Sequence, residues 1–266
     1  MNTIKHHKFN DVNCYELGYG YVGKPYMNTM FYIIDDIIID TGQSLMKNSF
    51  AEIVKDKKIS TGLLTHHHED HSGNVKRLIE MKQITVYGHE ITAAKMKSGF
   101  KILPYQHLMW GKADKAMISL LPELIETEKY TLTPIHTPGH SKDHTSYYEK
   151  NQGWLFSGDL FLGTRIKYFR ADEKIHDTIA SIKKVLMLDF DSLFCAHNPQ
   201  PSGGKIKLKQ KLDYLEELTG KIELLMSKGL EKKDIIKILR TEYSEVTGIK
   251  LFTGFNVSFS NILNSF

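Results

Sequence analysis

Residues 65–71 read Thr-His-His-His-Glu-Asp-His, placing four imidazoles and two carboxylates within six positions. Imidazole and carboxylate are the donors a zinc-like cation takes when no thiolate is offered. A solvated polar loop would account for two histidines, not for four beside two acids. The stretch is a candidate metal site. Three later positions repeat a simpler arrangement, each a single His or Asp closing an extended run beside a turn residue. They are His140 after Thr137-Pro-Gly, Asp159 after Ser157-Gly, and His197 before Asn-Pro199. One histidine after a strand is usually bland, but four such ends can converge on one edge of a packed pair of sheets.

The elements that must position these groups follow from periodicity. Extended runs over 12–20 and 26–34, rich in Tyr, Val, Met and Phe, predict strands, and Asp35-Asp36 turns the second into Ile37-Ile-Ile-Asp40. Thr41-Gly42 ends that hairpin. Leu45, Phe50, Ile53 and Val54 share one face of a helix over 44–56. Ile59, Leu63 and Leu64 predict a strand entering the cluster, and Val75, Leu78 and Ile79 a helix leaving it, so the cluster reads as a strand-to-helix loop. Such loops carry chemistry because a rigid scaffold holds them. A strand over 84–87 and a helix over 89–98 complete an alternation typical of layered α/β architecture. Residues 99–121, with Gly99, Pro104, Trp110 and Gly111 among apolar residues, break it; they read either as a lid over a pocket or as a helical excursion that packs.

Further strands are predicted over 130–137, 145–148, 154–156 and 192–196, with a helix over 172–187. Pro201-Ser-Gly-Gly204 is a linker, and the period beyond it is helical. Leu212, Leu215, Leu218, Ile222 and Leu225 mark one helix, Ile235, Ile236 and Leu239 a second, and Gly229 the stop between them. The expected organisation is a catalytic domain over 1–200 and a C-terminal helical region over 205–266. The lysines at 205, 207, 209 and 211 read as a solvated helix face.

A chain of 266 residues can bury one sizeable core. Its net charge of +4 suits an anionic small molecule; nucleic acid stays open but is not favoured, since no concentrated basic patch appears. Two cysteines, Cys14 and Cys195, without paired spacing argue against a disulfide framework. No stretch reaches signal-peptide or membrane-spanning character, so the expectation is a cytoplasmic protein that does not engage a membrane.

With these residues in view, the sequence resembles the metallo-β-lactamase superfamily. The His-x-His-x-Asp-His signature is matched by His66, His68, Asp70 and His71, and the Thr-Pro-Gly-His ligand by His140. Asp159 matches the bridging aspartate, His197 the final histidine, and Ile39-Asp-Thr-Gly42 the early Ile-Asp-Thr-Gly. The resemblance covers about residues 12–200. It implies a four-layer αβ/βα sandwich with metals at one edge of two sheets. It also implies that His66, His68 and His140 hold one metal, Asp70, His71 and His197 a second, and Asp159 both. Two zinc ions are the implied cofactors, with manganese or ferrous iron as alternatives. A zincin is excluded, because His-Glu-x-x-His needs a histidine where Ser72 stands.

The implied chemistry is attack by a hydroxide held between two ions on a small thioester, ester or phosphodiester. Asp70 and His144 are read as catalytic, His144 as a donor to substrate; a buried, satisfied imidazole is its alternative. Asp40 is read as the carboxylate receiving the other N–H of a metal-bound imidazole. His67 and Glu69 alternate with the ligands and are given no role. Arg165, Lys167 and Arg170 follow Asp159 closely and are candidate binders of a substrate carboxylate or phosphate, or a solvated basic loop. Glyoxalase II proteins share Thr-Pro-Gly-His-x-x-x-His with His140 and His144, and lactamase-like endoribonucleases share Thr-Pro-Gly-His-x-x-Asp-His and Phe-Ser-Gly-Asp; neither subgroup is matched throughout. Leu162 stands where lactonases carry tyrosine, and His68 where flavodiiron relatives carry glutamate. A mononuclear-iron persulfide dioxygenase is the alternative from another reaction class, and a non-catalytic metal- or RNA-binding member a third. The helical tail completes the pocket, forms a homodimer interface or caps the sandwich.

Overall fold

Two sheets carry the chain's strands in a computed structural model that describes residues 2–25, 27–166, 169–242 and 249–266 (backbone alone at 241, 242 and 249). The first sheet runs, in spatial order, β1 (Thr3–Phe9), β2 (Val12–Gly18), β3 (Asn28–Ile34), β4 (Ile37–Ile39), β5 (Thr61–Leu63), β6 (Thr85–Gly88) and β7 (Ser119–Leu120). Its first four strands pair antiparallel and the rest parallel. The second sheet contains β8 (Ile125–Glu126), β9 (Thr131–His136), β10 (Thr145–Glu149), β11 (Trp154–Gly158) and β12 (Ser192–Cys195), in the order β12-β11-β10-β9-β8. Only β11 and β12 pair parallel there.

The period of two along each strand builds four layers. Val12, Cys14, Met30, Tyr32, Ile34, Ile37 and Ile39 face Leu132, Tyr147, Trp154, Phe156 and Phe194 across the gap between the sheets. The alternate residues Tyr15, Leu17, Phe31, Ile33 and Ile38 face outward onto Phe50 and Val54 of α1 (Lys47–Lys55) and Val75 and Leu78 of α3 (Val75–Lys82). On the far side Leu155, Leu193 and Cys195 meet Ile182 and Val185 of α6 (Ile175–Leu186) and Leu208, Leu212 and Leu215 of α7 (Gly204–Ser227). The expected four-layer αβ/βα sandwich is the observed one. Each fully buried Ile or Leu in it contributes about 1.5–3 kcal/mol of transfer free energy.

The Asp35-Asp36 hairpin forms as anticipated, with Asp35 in the left-handed region at φ 48° and Ile34 paired to Ile37. Three elements depart from expectation. Strand β1 was not foreseen because it is an edge strand, largely exposed, whose Lys5-His-His-Lys8 carries no apolar alternation. The metal-like cluster is not all loop: Glu69–Ser72 close one helical turn, α2, with His68 at its N-cap. Residues 99–121, after α4 (Glu90–Ser98), are not one element. Their first part forms α5 (Pro104–Met109), while Ala113, Ala116 and Ile118 pack into the outer layer and Ser119-Leu120 joins the sheet.

The C-terminal helices share a core with the second sheet. Buried Ile235 and Leu239 of α8 (Lys232–Glu242), with Phe259, Ile262 and Leu263, join the same apolar cluster as α6 and α7. The lysines of α7 are a correction: Lys207 and Lys209 are exposed, but Lys211 lies in the buried stripe. No helix among the described residues is long and apolar enough to cross a membrane.

Candidate metal centre

Five connections deliver polar side chains to one edge of the sandwich. Strand β4 ends at Asp40, β5 leads through Leu64 and Thr65 into His66, β9 leads to His140, β11 to Asp159 and β12 to His197. The sheets thereby collect groups more than 150 residues apart in the chain. Gly158, at φ 46°, makes one approach feasible: a Cβ there would lie 2.7 Å from His144 Nε2.

The expected ligands cluster. His66, His68 and His140 bring one donor atom each within 4.8 Å of one another, as do Asp70, His71 and His197, and likewise His66, His71 and Asp159. His68 Nδ1 lies 2.8 Å from His66 Nε2 and 3.1 Å from His140 Nε2. Asp159 divides its carboxylate: Oδ2 lies 3.3 Å from His140 Nε2, while Oδ1 lies 3.3 Å from both His71 Nε2 and His197 Nε2. Asp70 Oδ2 stands 3.6 Å from His197 Nε2 and 3.8 Å from His71 Nε2. All seven side chains are within or bordering the interior, and Asp159 is only 7% exposed.

The ring nitrogens turned away from this focus have partners. His71 Nδ1 donates to Asp40 Oδ2 at 2.8 Å, and Asp40 also accepts from Thr65 N and Thr65 Oγ1. His140 Nδ1 donates to Glu173 Oε1 at 2.7 Å, and His197 Nδ1 to the Asn28 carbonyl at 2.8 Å. Such contacts fix the tautomer and raise the basicity of the opposite nitrogen. Asp40 is thus placed to orient the His71 ring. Glu173 carries no local signal for this role, because the sequence pattern predicts a helix over 172–187. The helix starts at Ile175, and Lys174 N instead donates to the Gly139 carbonyl, drawing Glu173 to His140.

Electrostatics separates the two halves. Burial holds His66 and His68 well below the usual imidazole range, so both rings are neutral donors. Burial also pushes His71 and His197 down, but Asp159 and Asp70 outweigh it and raise both, Asp40 adding to His71. That half is a buried carboxylate-rich pocket that demands positive charge. His71 Nε2 and Asp159 Oδ1 have no hydrogen-bond partner among the described residues. Orphaned buried donors and acceptors are costly unless something else satisfies them. The donor set fits divalent cations.

His67 and Glu69 turn away from the focus but are not idle. His67 Nδ1 donates to Asp143 at 2.9 Å, its backbone N–H donates to the same carboxylate, and Lys95 Nζ donates to Nε2 at 2.8 Å. Thr92 Oγ1 donates to Asp143 as well. Glu69 Oε1 accepts from Gln106 Nε2 at 2.6 Å, tying α5 to the cluster. Of the two readings of His144, a donor to substrate or a buried, satisfied imidazole, the hydrogen bonds favour the second. It is fully buried, its Nε2 accepts from Asp159 N at 3.0 Å, and its Nδ1 faces the Thr137 carbonyl and hydroxyl, leaving no nitrogen for a substrate.

A cavity of about 1060 Å³ opens onto the cluster. Arg165 and Arg170 both line it; Lys167 lies outside the described residues. Arg170 Nε donates to Asp172 at 3.1 Å. Arg170 bridges Val257, which packs with Tyr105, Trp110, Met27 and Met109, and Tyr105 Oη donates to Asn256 Oδ1 at 2.7 Å. Of the segment over 99–121, α5 and Trp110 wall the cavity.

With fold and site in place, the class is defined: the chain belongs to the metallo-beta-lactamase superfamily, whose family model matches residues 28–197. Among curated relatives it is similar to a hydroxyacylglutathione hydrolase of Legionella pneumophila (strain Lens), 30% identical over 166 residues. That match covers 60% of this chain and 56% of the relative, so the likeness spans little more than half of that enzyme. A beta-lactamase-like protein 2 homolog of Drosophila melanogaster is 26% identical over 230 residues, covering 79% of this chain and 72% of the relative. A metallo-beta-lactamase from Pontibacter korlensis shares the fold with a TM-score of 0.65 at 17% identity, across 80% of this chain and 99% of that one.

Proposed function

We propose that this chain is a hydrolase with two zinc ions at the described edge, acting on a small anionic thioester or ester, with a phosphodiester as the other member of its reaction class. The observation that carries the reading is the division of Asp159, one carboxylate oxygen toward His140 and the other toward His71 and His197. An aspartate so placed would be shared by two cations. His66, His68 and His140 would hold one, and Asp70, His71 and His197 the other. The chemistry zinc would supply there is an acidified water and polarisation of a carbonyl.

The chain's own residues do the rest. Asp40 and Glu173 fix the rings of His71 and His140, and the Asn28 carbonyl fixes His197. Tyr105 and Trp110 line the cavity with aromatic surface. Arg165 and Arg170 give it a cationic border suited to a carboxylate. The relative named for hydroxyacylglutathione supports a thioester. Two free, buried cysteines accord with work in a reducing compartment such as the cytoplasm.

The test is elemental analysis of freshly purified protein, followed by chelation and metal return, with a thioester and ester panel assayed at each stage. Two zinc per chain, and hydrolysis that leaves and returns with the metal, supports the reading. One iron per chain with oxygen uptake would replace it with persulfide oxidation. Failure to bind metal after reconstitution would overturn the centre itself.

A further inference from the structure

Helix α7 buries Gly204, Leu208, Leu212, Leu215, Leu218 and Ile222 along one face. Lys211 sits in the same stripe, 6% exposed, where the period calls for an apolar residue. Its Nζ donates to the Leu160 carbonyl at 2.7 Å. An ammonium carries three N–H donors, and the other two have no acceptor among the described residues. A buried ammonium is poorly compensated by one neutral carbonyl; it calls for an anion. The two carboxylates that act on it are committed elsewhere, Glu173 to His140 and Asp159 to the histidines of the metal edge. Lys211 also lines the cavity that opens onto that edge, as does Lys207 one turn earlier on the same helix.

We propose that Lys211 anchors a carboxylate of the substrate through its two unused N–H donors. Those donors match the two oxygens of one carboxylate, and their carbonyl contact lies one residue after Asp159, so the anchor and the metal edge face one cavity. The substrate is then a thioester or ester that carries a carboxylate away from its scissile bond. That substrate class rests on the hydrolase reading, whereas carboxylate binding by Lys211 does not.

The experiment is calorimetric binding of 3-(benzylthio)propionate and its near-isosteric, neutral carboxamide to metal-loaded wild type, Lys211→Met and Lys211→Arg. Wild type is expected to bind the carboxylate about tenfold tighter than the amide or more, the worth of a charge-assisted hydrogen bond. Lys211→Met should bind both equally, and Lys211→Arg should keep most of the preference, with metal content unchanged in both. Lys211→Gln replaces the methionine variant if that one fails to fold. A preference that survives in Lys211→Met, or is absent in wild type, overturns the anchor. Equal loss of both probes together with loss of metal overturns it too, in favour of a lysine that only holds the Leu160 carbonyl. Turnover of the thioester panel is read separately. No hydrolysis by a wild type that still prefers the carboxylate would remove the hydrolase reading and leave the anchor standing.

Discussion

Asp40, held in the left-handed region at φ 61°, presents its Oδ2 to His71 Nδ1 at 2.8 Å. The same carboxylate accepts from Thr65 N and Oγ1, so one residue at the end of β4 aims a ring on α2 and anchors the approach to His66. Replacing it with alanine leaves His71 without its orienting acceptor. Asp40→Ala should weaken metal affinity by about 10- to 100-fold, the usual cost of losing such a partner. Competition with a chromogenic chelator measures this; an unchanged affinity would show that Asp40 serves only the backbone.

Asp159 and His144 are joined by a hydrogen bond but should fail differently. Asp159→Ala removes the group shared by both halves of the centre and should abolish turnover. His144→Ala leaves the Asp159 N–H unsatisfied, which costs about 1–3 kcal/mol. That lowers the melting temperature by several degrees, at roughly 2–4 °C per kcal/mol for a chain of this size, while some turnover remains. Intact activity in both variants would sink the site.

Asp143 provides a pH signature. Burial pushes its carboxyl up, but hydrogen bonds from His67 and Thr92 prevail and hold it well below the usual carboxylate range. A depressed acid contributes stability above its unfolded pKa, near 3.9, and loses it as pH falls toward the folded value. Asp143→Asn should therefore be less stable than wild type at neutral pH, with the gap closing from about pH 5 toward pH 3. Melting curves across that range decide it; a constant gap would mean the carboxylate's charge is not what the His67 contact uses.

Burial pushes the thiols of Cys14 and Cys195 up to about 12. The thiolate is the reactive form, so neither should react with a disulfide reagent at pH 8 until the protein unfolds. Titration with and without denaturant checks this. Rapid native labelling of Cys195 would mean that the wall beneath His197 opens.

The clustering of these His and Asp side chains was legible because they stand at strand ends beside small or turn residues, and strand ends at one edge of a sandwich meet whatever the loops do. Asp40 was legible for the same reason. Glu173 and Asp143 were not, since each acts across the fold on a histidine far away in sequence and no local pattern marks such a partner. Lys211 was misread because interleaved charges along a helix normally describe its wet side, and only packing against Leu160 reveals that one of them is inside. Strand β1 stayed hidden because an edge strand need not alternate.

Phe169, Arg170 and Ala171 are laced to the chain's last segment: Ser258 N donates to the Phe169 carbonyl, Ala171 N to the Asn256 carbonyl, and Arg170 bridges Val257. Tyr105 reaches the same segment through Asn256. The clustered His and Asp side chains thus come from sheet termini, while part of the cavity wall comes from α5 and from this late, short stretch. Insertions or exchanges over 249–258 would resize the chamber while leaving the ligand atoms untouched. Such a division lets a lineage trade one substrate for another without reinventing its chemistry, and gives an engineer the same handle.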